Sequence, residues 1–128
     1  MEETFDVMIL GAGAAGLTAG IYSSRAKLNT LILNEGAIGG QMVLTNEIAN
    51  YPGVELTNGY VVANTMKKQA KDFGCKIKSN VNIIDLQPEG SVKTVELEDG
   101  RTFRAKSVIL APPGGKPRPL NIPGEDKF

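Results

Sequence analysis

The segment FDVMILGAGAAGLTAGIYSSRAKL, residues 5–28, limits the possible folds more than any other part of the chain. An apolar run of strand length ends on glycine, and glycines at 11, 13 and 16 follow in G-x-G-x-x-G spacing. Leu17, Ile21 and Leu28 then fall near helical spacing. A strand without polar alternation suits burial on both faces of a parallel sheet. Ala15, Ala19 and Gly20 predict a helix lying close to that sheet. NTLILN, residues 29–34, reads as a second buried strand, so the whole is a βαβ unit with a right-handed crossover.

In that setting the glycines have a chemical reading. Gly11 permits the tight turn, Gly13 leaves room for backbone to approach a pyrophosphate, and Gly16 allows close helix–strand packing. Ala14 and Ala15 contribute N–H groups at the positive end of the helix, where an anion is stabilised. The pattern predicts dinucleotide binding, and the glycine turn does not distinguish NAD from FAD. The same fingerprint expects an acidic residue about twenty positions on, at the end of the second strand, to bond the ribose hydroxyls. Here the strand ends LNEG: Asn34 holds the counted position and Glu35 follows. Either Glu35 reaches the ribose, or Asn34 makes neutral bonds at a loss of about 1 kcal/mol relative to charge-assisted ones. Glu35 is preferred.

Residues 35–58 carry turn signals and little periodicity, as befits a functional loop. Thr57 is the predicted cap of a second helix, YVVANTMKKQAKDF, with Val62, Met66, Ala70 and Phe73 on its buried face and Gly74 as its stop. CKIKS returns to the sheet. VNIIDLQ, VKTVELE and RTFRA, separated by turn residues, predict a three-stranded antiparallel meander, and SVILA predicts another central parallel strand.

Composition narrows the chemistry. In 128 residues, fourteen Lys and Arg balance fourteen Asp and Glu. Lys67, Lys68 and Lys71 are spaced as a solvated helix face, so neither nucleic acid nor a membrane surface is an expected partner. With no histidine, the commonest general base and metal ligand is missing, and neither a catalytic triad nor a metal site is expected. The single cysteine, Cys75, excludes an internal disulfide or Cys-x-x-Cys pair and reads as a small buried hydrophobe. Tyr51 reads as a loop anchor. The acidic start does not resemble a signal peptide, and a cytoplasmic protein is expected.

Five segments, GAGAAGLTAGIYSSRAKL, GGQM, NEIANYPG, KKQAKDFG and LNIPGEDKF, resemble in order and spacing the amino-terminal FAD-binding part of bacterial thioredoxin reductases. The resemblance covers nearly the whole chain and implies FAD as the cofactor. It implies flavin-holding roles for Gly39, Gly40, Gln41 and Asn50, whose amides bond donor and acceptor edges without adding charge. It also implies that the backbone at Val81 meets the adenine. The implied fold is α/β, a Rossmann-like doubly wound FAD-binding domain in three layers with a small antiparallel meander. That domain is expected over residues 1–115, and residues 116–128 are expected to lead toward an NADPH-binding domain.

The parent reaction so implied passes electrons from NADPH to FAD to a disulfide, with thioredoxin or a similar protein as partner and a homodimer as the assembly. Alternatives are a relative using another donor such as ferredoxin, or an FAD-binding module that needs a partner chain. The family's Cys-x-x-Cys and return segment are not in this sequence, so an incomplete domain without catalytic residues of its own is expected. Where relatives carry Ala-Thr-Gly, this chain has Ala111-Pro112-Pro113-Gly114-Gly115. Prolines have no N–H to donate, so no flavin contact is assigned to Pro112 or Pro113.

Overall fold

The computed structural model describes residues 3–112 and 120–127. β1 (Thr4–Leu10) is followed by α1 (Ala14–Arg25), β2 (Thr30–Leu33), a 3-10 turn over Gly40–Leu44 and α2 (Gly59–Asp72). Then come β3 (Lys76–Lys78), β4 (Ile83–Gln87), β5 (Lys93–Leu97), β6 (Thr102–Leu110) and a short 3-10 turn at Glu125–Lys127. The strands join in the order β3-β2-β1-β6-β5-β4. β1 pairs in parallel with both β2 and β6, and β2 with β3, whereas β5 is antiparallel to both β4 and β6.

The apolar runs of β1 and β2 are buried as their composition predicts, because both faces of these strands are covered. On one face Val7, Ile9 and Ile32 meet Leu17 of α1 and Val62, Met66 and Ala70 of α2. On the other, Met8, Leu10, Leu31 and Leu33 meet Val95 and Leu97 of β5. The meander thus covers the face opposite the helices, giving three layers around the parallel strands.

Several sequence expectations need correction. RTFRA and SVILA form a single strand: β6 pairs with β5 through residues 102–105 and with β1 through residues 104–110. The meander is therefore continuous with the parallel sheet by hydrogen bonding. Asn58, not Thr57, caps α2, its Oδ1 accepting the Val61 N–H at 3.0 Å. Phe73 lies at the helix end, 48% exposed beneath the Arg25 guanidinium, instead of on the buried face. Leu28 falls beyond α1 and is also exposed. Ala15 faces outward, and it is Gly20 that brings α1 close to the sheet, against Ile32 and Cys75. The expected linker falls mainly outside the described residues, as do Pro113, Gly114 and Gly115.

Asp6 fastens the start of β1. Its carboxylate accepts the Asn29 N–H at 2.8 Å and faces the Lys106 ammonium at 3.4 Å. The Asn29 bond first, and Lys106 second, hold the Asp6 carboxyl below the usual range. A lowered folded pKa contributes stability that is present above the unfolded value and lost as pH falls through the folded one. Asp6→Asn is therefore expected to lower the denaturation midpoint near neutral pH and to flatten its acid dependence. Urea titrations from about pH 7 to about pH 2 measure this, and parallel curves for both proteins would contradict it.

Candidate functional site

β2 and β3 lie on one side of β1 and β6 lies on the other, so the carboxyl ends of β1 and β6 frame the point where strand order reverses. Open α/β sheets bind ligands at such a crevice. Gly11 occupies it with φ of +120°, and a side chain there would run into the carbonyl of Ala111, just past β6. A Cβ on Gly16 would run into the Gly11 carbonyl. These two glycines let α1, β1 and β6 meet backbone to backbone.

Gly13 is different. Its φ of −79° is open to any residue, and a Cβ built on it meets no heavy atom within 4 Å. The first α-helical bond runs from the Leu17 N–H to the Gly13 carbonyl at 2.9 Å. The N–H groups of Gly13, Ala14, Ala15 and Gly16 therefore precede the helical ladder. The first turn of α1 carries no acidic residue to compete with an anion.

Two clefts flank the turn and share Pro112. One, of about 260 Å³, is lined by Gly13, Ala14, Ala15, Gly39, Gly40 and Gln41 together with Met42 and Ala111. Among the described residues, no charged side chain lines it. The other, about 70 Å³, is lined by Leu10, Gly11, Leu33, Asn34, Glu35 and Ile83. Glycines again set the approach: Gly39 (φ +111°) donates its N–H to the Ala12 carbonyl at 2.7 Å, and Gly40 (φ +58°) faces Gly13. Gly59 lets the Gly40–Leu44 turn lie on the start of α2, against the Met42 carbonyl.

The structure thus brings together Gly11, Gly13, Ala14, Ala15, Asn34, Glu35, Gly39, Gly40 and Gln41, while Gly16 serves packing beneath them. Asn34 and Glu35 differ sharply. Asn34 is 4% exposed with its amide bonded internally, whereas Glu35 is exposed at the cleft. Asn50 is exposed in its loop and lines neither cleft; its neighbour Tyr51 instead lines a separate cleft of about 460 Å³ against α2. Val81 is buried, its N–H given to the Asn34 carbonyl at 3.2 Å. Sequence reasoning did not single out Met42 or Ala111, and it set Pro112 aside for want of an N–H, although Pro112 lines both clefts. For Met42, its adjacency to GGQ was the one available signal.

Cys75 is buried, and that burial pushes its thiol pKa up, against a smaller opposing effect of the Ser24 hydroxyl. It is a packing residue. Among the described residues, no group of His, Cys, Asp and Glu is placed to hold a metal ion, and no helix is long and apolar enough to cross a membrane.

Comparison with known proteins agrees with this architecture. Residues 5–128 match the family described as pyridine nucleotide-disulphide oxidoreductase, and the chain belongs to that family. It is 41% identical to a thioredoxin reductase of Peptoclostridium acidaminophilum over its full length, which is 40% of that protein. Crystal structures of thioredoxin reductases from Lactococcus lactis and Streptococcus pyogenes superpose with TM-scores of 0.82 and 0.84. They are 37% and 36% identical to it; each aligns with 98% of this chain and 40% of the solved one. The chain therefore spans two fifths of the length of these relatives.

Proposed function

We propose that this chain is the FAD-binding portion of a thioredoxin reductase-like oxidoreductase, with the dinucleotide laid across the glycine turn from one cleft to the other. The carrying observation is that two clefts, one bearing a carboxylate and one uncharged, meet at a helix N-terminus where Gly13 leaves open space. The N–H groups of Gly13, Ala14 and Ala15 would hold the pyrophosphate, and Glu35 the ribose hydroxyls. Gly39 and Gly40 let backbone approach, and the Gln41 amide would orient the ring system; Asn50, outside both clefts, is left without that role. The Val81 backbone would meet the adenine through its carbonyl, since its N–H is committed. Bound flavin supplies the hydride and electron chemistry; these residues position it and exclude water.

In the longer parent, electrons would pass from NADPH to the flavin and on to a disulfide of thioredoxin or a similar protein, in a homodimer in the cytoplasm. An absorbance spectrum of protein purified without added cofactor, followed by FAD titration, tests the binding. Flavin bands or saturable binding are expected; neither band nor saturation up to about millimolar FAD would refute the reading.

The 128-residue chain alone is expected not to reduce disulfides at the expense of NADPH. It has one G-x-G-x-x-G, assigned here to FAD, and one cysteine, while the reaction needs a second nucleotide site and a dithiol pair. NADPH oxidation coupled to thioredoxin or dithiobis-nitrobenzoate reduction measures this, against a control of free FAD. Turnover above that control would contradict it.

A further inference from the structure

Asn34 occupies the position at which the fingerprint expects a ribose ligand, yet every polar atom of its side chain is turned into the protein. Oδ1 accepts the Ala12 N–H at 3.0 Å, and Nδ2 donates both hydrogens, to the Gly36 carbonyl at 3.0 Å and the Ala37 carbonyl at 2.9 Å. Its backbone N–H donates to the Lys78 carbonyl at 3.0 Å, and its carbonyl accepts from Val81. One buried residue thereby joins the glycine turn, the turn after β2, the end of β3 and the segment entering the meander.

We propose that Asn34 is a positioning residue, an amide latch that sets the phosphate turn and the Gly39–Gln41 loop in register without touching the dinucleotide. This deepens the FAD reading above and rests on it. The Gly11 N–H donates to the Leu33 carbonyl at 2.9 Å and the Ala12 N–H to Asn34, so both point back toward β2. The N–H groups turned toward a ligand accordingly begin at Gly13. The Ala12 carbonyl, which belongs to the next peptide, accepts the Gly39 N–H. Ala12 is gripped by the latch at one end and by the second loop at the other, which couples the two clefts.

The chemistry requires an amide. The latch needs one acceptor and two hydrogens in a residue of this length, and asparagine supplies them. Aspartate has the same shape, but ionised it offers no hydrogen to two carbonyls that face it. A buried acceptor left facing another acceptor is costly. With Asn34 withdrawn, the carboxylate available to the ligand is Glu35, one residue later and exposed.

Two measurements test this. In the parent chain, amide exchange at Ala12 is expected to be slow without FAD and little changed by it, whereas the N–H groups of Gly13, Ala14 and Ala15 gain protection only when FAD is added. Free exchange at Ala12 until FAD binds would make it a ligand contact and overturn the latch. In parallel, FAD is titrated into Asn34→Asp and Glu35→Gln. Each is expected to bind at least about tenfold more weakly. At saturating FAD, Asn34→Asp is expected to change the visible circular dichroism of the bound flavin, because the Gly39 loop has moved. Glu35→Gln, acting at the ribose, leaves that signal unchanged.

Asn34→Asp binding FAD with the parent's affinity and dichroism would overturn the proposal. If that variant does not fold, Ala12 exchange in the parent decides. If the parent binds no FAD, the functional reading fails, and Ala12 protection still decides whether the latch exists.

Discussion

Gly13→Val is expected to abolish FAD retention while the ligand-free chain stays folded. At φ −79° and ψ −166° the backbone is extended, and a Cβ meets no protein atom within 4 Å. Valine is a poorer helix cap than glycine, a loss of about 1 kcal/mol at most. Its methyl groups would instead fill the space above the helix N-terminus where the pyrophosphate is proposed to lie. A dissociation constant at least about 100-fold higher is expected, equivalent to about 2.7 kcal/mol. Flavin fluorescence titration, alongside a thermal melt without FAD, separates binding from folding. A variant that melts like the parent and holds FAD as tightly would place the pyrophosphate elsewhere.

Gly11→Ala is expected to fail in the opposite way, through the fold and before any ligand is considered. Its Cβ would occupy the position of the Ala111 carbonyl, and φ of +120° is strained for any L side chain. The atom hit is backbone just past the carboxyl end of β6, so relief requires the ends of β1 and β6 to separate. A loss of more than about 3 kcal/mol is expected, a large part of the 5–15 kcal/mol typical of a whole domain. Urea unfolding of Gly11→Ala measures it. An unfolding free energy within about 0.5 kcal/mol of the parent's would show that β6 does not abut the turn as described. The two glycines, two positions apart, thus separate a ligand effect from a folding effect.

The difference between these residues was partly legible in the sequence. The strand–turn–helix setting assigned Gly11, Gly13 and Gly16 different tasks, and the structure gives them different surroundings. The buried stripe Val62, Met66 and Ala70 followed from helical spacing for the same reason: period is a local property. Identity of neighbours is not. RTFRA and SVILA differ in character, so they read as two strands, although no glycine or proline marks a turn between Ala105 and Ser107. The change of character comes from a change of surroundings along one strand, with pairing to β5 at its start and to β1 beyond.

Thr57 and Asn58 are both competent caps, and only the bond from Val61 chooses between them. Asn34 was visible as the strand-end residue, but its inward turn depends on Ala12, Gly36 and Ala37, which no spacing rule connects to it. Asn50 matched its expected place relative to Gln41, yet loop conformation leaves it outside both clefts.

The register of β6 on β1 has a consequence for how the protein is made. Thr4 pairs with Arg104 and Leu10 with Leu110, so β1 borders a strand far downstream of it in the sequence. β1 can join β2 early through a local crossover, but its other edge stays open until β6 has emerged. Closing so long a loop carries an entropic cost before any contact repays it, which slows folding. During that interval Met8 and Ile9, fully buried at the end, sit beside an unsatisfied strand edge that other chains can pair with. The Gly11–Ala111 abutment forms only when β6 arrives. Both clefts at the turn include Pro112, just past β6. Under the FAD reading proposed above, capture of the cofactor therefore follows the arrival of that strand, and cofactor shortage should affect the lifetime of the product more than the yield of folding.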